Sequence, residues 1–390
     1  MTTTTDTLPS RQDGADHTVA EIGQQPRMWR EVGRMLTDGR PALDAFLAPF
    51  LARADLRIVL TGAGTSAFAG QLVRGVLARR TGRRVDAVAT TDIVSDPWGA
   101  FGEDVPTLLV SFARSGDSPE SVAAAELAGR CLTRVGHLVI TCNSEGQLAR
   151  EHAANPDSHV LHMPAASNDR GFAMTSSFTS MVLACLLAFG AVAGEEEVET
   201  LAKAAEHLTT GGLDDGIDAL VARRPERLVY LGSGALKGLA EESALKLLEL
   251  TGGAVVASSE SALGFRHGPK AVLNDRTAVL VYVSNDPYTR SYDLDILSEL
   301  RAGLPEGTVI AVAGRPDGLP EDGTWLVPGA GAVEDAALAL PAVVCAQLIA
   351  LRSSLALGIR PDNPFPSGEV NRVVQGVTLH PLPERGSDRA

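Results

Sequence analysis

The stretch Arg57-Ile58-Val59-Leu60-Thr61-Gly62-Ala63-Gly64 joins a short apolar, β-branched run to a Gly-x-Gly turn. Such a run predicts a buried strand, and the segment rich in Ala and Leu that follows it predicts a helix. The pattern returns 170 residues later as Arg227-Leu228-Val229-Tyr230-Leu231-Gly232-Ser233-Gly234. A strand-turn-helix unit that occurs twice predicts two similar α/β domains.

Three further pairs of segments match in the same register without a gap: 81–82 with 251–252, 107–110 with 277–280, and 139–140 with 309–310. Such coincidences in one register are hard to attribute to chance, so they predict an internal repeat. Apolar strands alternate with helical segments in each copy. This alternation predicts two tandem domains, each a doubly wound parallel sheet with helices on both faces.

The expected strands are 58–61, 85–89, 107–112 and 137–142 in the first copy, and 228–231, 254–258, 278–283 and 308–312 in the second. The expected helices include 67–80, 119–131, 177–193, 239–250, 292–302 and 334–357. We therefore place the domains at 51–205 and 215–362, with an N-terminal arm at 1–50 and a C-terminal tail at 363–390. The first 17 or so residues of the arm are expected to be disordered.

The composition is that of a globular protein: 390 residues, 45% hydrophobic and 21% charged. A net charge of −14 argues against nucleic acid or an anionic membrane as the main partner, but leaves room for a small anion. The longest apolar run, 181–194, has 14 residues, too short to span a bilayer, and predicts a core helix. The start of the chain lacks a secretory pattern, and four cysteines without a Cys-x-x-Cys pair indicate buried thiols, so we expect a cytoplasmic protein.

Two loops of the first copy combine glycine, hydroxyl groups and a following helix. They are Gly62-Ala63-Gly64-Thr65-Ser66 and Ala113-Arg114-Ser115-Gly116-Asp117-Ser118-Pro119. Backbone amides, the helix dipole and hydroxyl groups together favour a phosphate, although Ser or Thr at a helix start is often only a cap. The matching loops of the second copy, 232–236 and 283–288, have a weaker hydroxyl pattern. One phosphate site per chain is therefore expected, in the first domain.

The first helix of the second copy carries Glu242, Lys246 and Glu249 on one narrow stripe. This stripe is either a solvated face with a salt bridge or an acid/base set in a cleft. The other positions of the helix are mostly apolar, which favours burial and the second alternative.

His267 lies between Gly264 and Gly268 in the loop Gly264-Phe265-Arg266-His267-Gly268-Pro269. It is a candidate proton donor or acceptor, with an ordinary hydrogen-bonded loop histidine as the alternative. No spacing of His, Cys, Asp and Glu suggests a metal site, and no cofactor is expected.

Together these loops, the 242–249 stripe and the Arg266-His267-Gly268-Pro269 motif resemble the SIS (sugar isomerase) family, whose members carry paired SIS domains. Three further motifs resemble its galactosamine-6-phosphate deaminase/isomerase branch, also called tagatose-6-phosphate ketose/aldose isomerase. They are Glu21-Ile22-Gly23-Gln24-Gln25-Pro26 with Trp29, the stretch 171–180, and the stretches 363–368 and 370–378. The resemblance covers residues 20 to 380.

By similarity to the isomerase domain of glucosamine-6-phosphate synthase, Ser66, Ser115 and Ser118 would bind the sugar phosphate, beside Gly64, Thr65 and Arg114. Glu249 would move a proton between C1 and C2, with Glu242 and Lys246 as neighbouring site residues. His267 would open the sugar ring, and in that relative the histidine comes from the partner subunit. The resemblance thus implies a homo-oligomer, a dimer or tetramer, with sites at the subunit interface.

This chain differs from that synthase in three ways. Ala113-Arg114-Ser115 stands where the synthase has Ser-Gln-Ser, the tail lacks the synthase's lysine, and no glutaminase domain with a cysteine after Met1 precedes the repeat. Glutamine-driven synthesis is therefore not expected. The resemblance implies conversion of galactosamine 6-phosphate and water into tagatose 6-phosphate and ammonia. The alternatives are glucosamine-6-phosphate deamination, ketose/aldose isomerisation without deamination, and a non-catalytic sugar-phosphate regulator.

Overall fold

The structure, a computed structural model, describes residues 14–374 and 376–383. It contains two parallel five-stranded sheets with helices packed against both faces, which confirms the predicted fold class. The strands of the first sheet are β1 (Arg57–Thr61), β2 (Arg84–Ala87), β3 (Thr107–Ala113), β4 (Val135–Thr141) and β5 (Ser158–His162). Those of the second are β6 (Arg227–Gly232), β7 (Val256–Glu260), β8 (Thr277–Val283), β9 (Val309–Ala313) and β10 (Thr324–Leu326).

Helices connect and cover these strands. They are α1 (Asp16–Gly23), α2 (Gln25–Leu51), α3 (Thr65–Thr81), α4 (Thr90–Ser95), α5 (Pro97–Ala100), α6 (Pro119–Cys131), α7 (Gln147–Ala153), α8 (Ser176–Ala188), α9 (Glu195–His207), α10 (Asp214–Ala222), α11 (Ala235–Leu250), α12 (Pro287–Gly303) and α13 (Asp335–Ala356). Every residue of β1, β3 and β8 is buried, because central parallel strands are covered on both faces.

The two sheets have equivalent strand orders, β2-β1-β3-β4-β5 and β7-β6-β8-β9-β10. Their central strands keep the 170-residue offset, since β1 and β6 begin at Arg57 and Arg227. The turns after these strands also match, with φ of 54° at Gly64 and 58° at Gly234. This left-handed conformation favours glycine. Each of the eight predicted strands overlaps an observed one, and β5 and β10 are additional short strands in the described residues.

The helices α3 and α11 pack against each other and bring the two domains together. They approach closely at Gly238, where a Cβ atom would lie 2.6 Å from the backbone nitrogen of Leu72. The apolar helix α8 is buried at every position. The helix α13 is long and apolar enough to cross a membrane by length and composition, but 89% of its most apolar window is buried inside the fold. It is therefore a buried core helix.

The N-terminal arm is a structured part of the protein. Residues 1–13 of the segment expected to be disordered lie outside the described residues, and the expectation is wrong for Asp16 and His17, which begin α1. The helix α2 follows, with Pro26 in its first turn. Its apolar face is buried against α8 and α9, and this packing orders the arm. All four cysteines are buried.

Candidate active site

Two loops of the first domain meet at the carboxyl edge of its sheet. The turn from β1 into α3 needs glycine twice: a Cβ at Gly62 would lie 2.5 Å from the Cβ of Ser66, and Gly64 has φ of +54°. This close turn brings Thr65 and Ser66 into the first helical turn of α3. The second loop, 114–118, runs from β3 to the start of α6 at Pro119. The N-termini of α3 and α6 therefore face one space, with the positive ends of their dipoles toward it.

That space is a cavity of about 240 Å³. The cavity is lined by every phosphate-site residue predicted from the two loops and by one residue of the acid/base stripe. These residues are Gly64, Thr65, Ser66, Arg114, Ser115, Ser118 and Glu249. The loops come from the first domain and Glu249 comes from the second. The cavity therefore lies between the domains.

Lys246 is the centre of the acid/base stripe on α11. Its Nζ atom lies 2.9 Å from Thr65 Oγ1, 2.5 Å from Glu249 Oε2 and 3.5 Å from Glu242 Oε1. The side chains of Lys246 and Glu242 are 0% exposed, and that of Glu249 is 23% exposed. A solvated face is thus excluded, and only Glu249 of the three reaches the cavity.

Burial sets the protonation of this stripe. Desolvation raises the pKa of Glu242 to about 8, more than the nearby Lys246 ammonium lowers it. Desolvation also acts to lower the pKa of Lys246, but Glu242 and Glu249 together raise it above its usual value. At neutral pH the stripe therefore holds a protonated Glu242 and a charged Lys246. The ammonium group fixes the Glu249 carboxylate at the cavity wall.

Arg114 supplies positive charge beneath the same cavity. It is buried, and its guanidinium donates hydrogen bonds to the carbonyl oxygens of Arg372 at 2.6 Å and of Phe172 at 3.4 Å. Burial, followed by the charge of Arg372, lowers its pKa from the usual value, but the carbonyl oxygens hold the guanidinium in place. Two arginines at one cavity give this acidic chain a local site for an anion.

Sequence reasoning did not assign a site role to several residues that line the cavity: Phe172, Met174, Val370, Asn371, Arg372 and Val374. They lie in two of the stretches that carry the family resemblance, 171–180 and 370–378. The sequence thus pointed to these stretches but did not indicate that they line the site. The Arg372 side chain donates a hydrogen bond to the backbone oxygen of Asp169. The tail is thereby fixed across the cavity.

Of the predicted site residues, His267 alone neither lines the cavity nor belongs to the 242–249 stripe beside it. It follows the short helical turn Gly264–Arg266 after β7, and its side chain is exposed. It is absent from the residues that line the cavity in the described chain. Its supply by a partner subunit stays a prediction.

The second domain uses one of its two matching loops, 283–288, for internal contacts. The backbone N–H of Ser284 donates to Asp293 Oδ2 at 3.0 Å, and that of Asn285 donates to Asp335 Oδ1 at 2.7 Å. These two carboxylates accept the hydrogen bonds that the N–H groups would otherwise donate to an anion. This arrangement supports the expectation of one phosphate site per chain. Within the described ranges, no cluster of His, Cys, Asp and Glu could hold a metal ion.

Known proteins share both the sequence and the fold. The SIS domain family model matches residues 50–191. A Streptomyces coelicolor protein, named provisionally as D-galactosamine-6-phosphate deaminase AgaS, is 67% identical over 98% of this chain and 100% of its own. The D-galactosamine-6-phosphate deaminase AgaS of a Shewanella species is 43% identical over 95% of this chain and 93% of its own.

A solved structure extends the similarity to the whole fold. The tagatose-6-phosphate ketose/aldose isomerase from Escherichia coli is 41% identical, with a TM-score of 0.87 over 95% of this chain and 99% of that one. Identity at this level along nearly the full length of both chains establishes common family membership. This protein belongs to the AgaS family of D-galactosamine-6-phosphate deaminases, a family of SIS-domain proteins.

Proposed function

We propose that this chain converts galactosamine 6-phosphate and water into tagatose 6-phosphate and ammonia. One observation carries the proposal: the Glu249 carboxylate opens onto the same cavity as the two hydroxyl-rich loops of the first domain. An acid/base group thus faces an anion site across a space suited to a small molecule. The relatives named as deaminases of this substrate support the choice of sugar.

Phosphate binding is assigned to the first domain. The hydroxyl groups of Ser66, Ser115 and Ser118 line the cavity beside the N-termini of α3 and α6. Neither helix has a side-chain cap at its N-terminus, so no side chain competes there with an anionic ligand. Arg114 adds a buried positive charge. This anchor would place the carbon chain of the sugar toward Glu249.

Proton transfer is assigned to Glu249. In the open-chain amino aldehyde, its carboxylate takes the proton from C2 while O1 gains a proton, which gives an enolamine. Glu249 then returns its proton to C1 while the nitrogen loses one, so the second proton passes in net from nitrogen to O1. The product is an imine at C2 with a hydroxyl at C1. Water adds to the imine carbon and ammonia leaves, so the ketose phosphate forms with atoms and charge in balance. Lys246 holds the carboxylate in position through the 2.5 Å contact to Oε2.

Ring opening is assigned to His267 of a second copy of this chain, because His267 is exposed and lies outside the cavity of its own chain. The active unit is then a homo-oligomer with sites at the subunit interface. We also place the enzyme in the cytoplasm, where phosphorylated sugars are held and thiols stay reduced.

The test follows ammonia release from galactosamine 6-phosphate, with glucosamine 6-phosphate in parallel. Release from the galacto sugar in excess of the gluco sugar is expected, and release from neither would overturn the proposal. Glu249→Gln should lower kcat by about a hundred- to ten-thousand-fold while substrate still binds. An active Glu249→Gln enzyme would remove Glu249 from its role.

The similarity to the Escherichia coli tagatose-6-phosphate ketose/aldose isomerase supports a second candidate, isomerisation of tagatose 6-phosphate without deamination. This reaction needs the same proton transfer between C1 and C2. Interconversion of tagatose 6-phosphate with its aldose, in the absence of ammonia release from either amino sugar, would favour it. A chain that binds these sugar phosphates and turns over none of them would instead act as a regulator.

A further inference from the structure

Glu21 of the N-terminal arm is a buried carboxylate on α1. It accepts hydrogen bonds from the backbone N–H groups of Arg170 and Gly171, the latter at 3.1 and 3.2 Å. A Cβ at position 171 would lie 2.9 Å from Glu21 Oε2 and 3.1 Å from Thr18 Oγ1. The carboxylate therefore fits against a backbone position that only glycine leaves open.

The segment 169–174, which Glu21 holds, forms one wall of the candidate active site. Phe172 and Met174 line the cavity. The backbone oxygen of Phe172 accepts a hydrogen bond from Arg114, and that of Asp169 accepts one from Arg372. Glu21 thus holds the backbone that in turn holds both arginines.

The arm makes further contacts with the same region. Gln24 Nε2 donates to Ala166 O and to Ser176 Oγ, both at 2.8 Å. Trp29 Nε1 donates to Thr179 Oγ1 at 3.0 Å. The arm motif 21–29 and the stretch 171–180 are therefore in direct contact. This contact explains why the two motifs occur together in one chain.

Placing a carboxylate here is costly. Burial, followed by the charge of Asp169 and a smaller contribution from Asp362, raises the pKa of Glu21 to about 7. The backbone N–H groups of Arg170 and Gly171 act in the opposite direction. A neutral side chain would avoid the cost if the site needed only packing. The two backbone hydrogen bonds are the interaction that a carboxylate supplies and an apolar residue does not.

We propose that Glu21 is a positioning residue for substrate binding: it fixes the 169–174 wall and, through that wall, the orientation of Arg114 and Arg372. The inference rests on the proposed function, because it assigns these arginines to the sugar phosphate. It predicts that a change in the arm, on an element that does not line the cavity, alters substrate affinity more than turnover.

The test measures kcat and KM for galactosamine 6-phosphate. Glu21→Ala should raise KM about tenfold or more, with kcat changed much less, because the N–H groups of Arg170 and Gly171 lose their acceptor, the second of them in a buried position. Glu21→Gln keeps one acceptor oxygen and should recover most of the lost affinity. Arg30→Ala is the matched control, since Arg30 fixes the same arm to Glu199 and Glu206 on α9, away from the cavity. Its KM should stay at the wild-type value.

A second variant keeps the test independent of the folding of Glu21→Ala. Gly171→Ala places a methyl group against the Glu21 carboxylate and should raise KM in the same way. In the Glu21→Ala background the same methyl group has more room, so its effect should be smaller. Additive effects in this double-mutant cycle, or an equal rise in KM for Arg30→Ala, would overturn the proposal.

A calorimetric titration separates this inference from the proposed function. If the wild-type chain releases no ammonia, the dissociation constant for galactosamine 6-phosphate replaces KM in every comparison. Weaker binding in Glu21→Ala, with wild-type binding in Arg30→Ala, would then still support the positioning role. Equal binding in all three proteins would reject it.

Discussion

Lys246 Nζ lies 2.9 Å from Thr65 Oγ1, and this hydrogen bond joins the acid/base helix of the second domain to the first turn of α3 in the first. Thr65 follows Gly64 in the proposed phosphate loop, so one contact links the residues assigned to anchoring and to proton transfer. The packing of α3 against α11 thereby fixes the distance between the phosphate loop and the proton-transfer residue Glu249. The geometry of the cavity depends on the domain interface as well as on either domain alone.

Lys246→Met should lower both activity and stability. The change leaves the Glu249 carboxylate and Thr65 Oγ1 without their buried partner, and removal of one member of a buried ion pair typically costs about 3 kcal/mol or more. Urea unfolding of the purified protein measures the loss. Lys203→Met is the matched control, because Lys203 forms an exposed i,i+4 pair with Glu199 at 3.5 Å, and it should change stability by roughly 0.5 kcal/mol or less. Equal effects of the two changes would contradict the structural role of Lys246.

The position of the acid/base stripe on its helix can be predicted from the sequence, but the contacts that the stripe makes cannot. Helical spacing alone places Glu242, Lys246 and Glu249 on one face, because positions i, i+4 and i+7 share a face of any α-helix. The bond from Lys246 to Thr65 spans 181 residues and depends on how the domains pack, which no local pattern encodes.

The same limit applies to the tail and to the sheet edges. Arg372 lies at the cavity because its side chain reaches Asp169, in a segment without regular secondary structure whose course local periodicity does not specify. The strand β10 has only three residues, too few for a period to be recognised. The turns at Gly64 and Gly234, by contrast, were predictable because a local glycine requirement fixes them.

Ser115→Ala should weaken substrate binding more than turnover. The Ser115 hydroxyl lines the cavity, and its loss removes one hydrogen bond to the phosphate, an effect of about tenfold in KM. Steady-state kinetics with galactosamine 6-phosphate measure it. The control is Ser291→Ala, at an exposed position of α12 in the second domain, and it should leave KM unchanged. A fall in kcat with constant KM for Ser115→Ala would place this hydroxyl in the chemical step instead.

Glu242→Gln should make the stability of the protein less dependent on pH between 4.5 and 8. The folded pKa of Glu242 is raised from 4.5 to about 8, so the folded state keeps a proton that the unfolded state releases. Wild-type stability is therefore lost as the pH rises from 4.5 to 8, by about 1.4 kcal/mol per unit from this group. Gln mimics the neutral acid and has no proton to lose. The stability of the variant relative to wild type should thus increase across this window in urea titrations. A constant difference would show that Glu242 is already ionised in the folded protein.

The buried pair of His137 and His152 predicts a loss of stability in acid. Their ring centroids are 4.5 Å apart, and burial, followed by the neighbouring His152, lowers the pKa of His137 from 6.5 to about 4. The unfolded state then binds a proton that the folded state refuses, so stability present at pH 7 is lost as the pH falls from 6.5 to 4, by roughly 3 kcal/mol. Urea unfolding at pH 7 and pH 4.5 measures this loss, and His137→Gln should remove much of it because the variant has no imidazole to protonate. If wild type and variant lose the same stability between the two pH values, other groups cause the acid sensitivity.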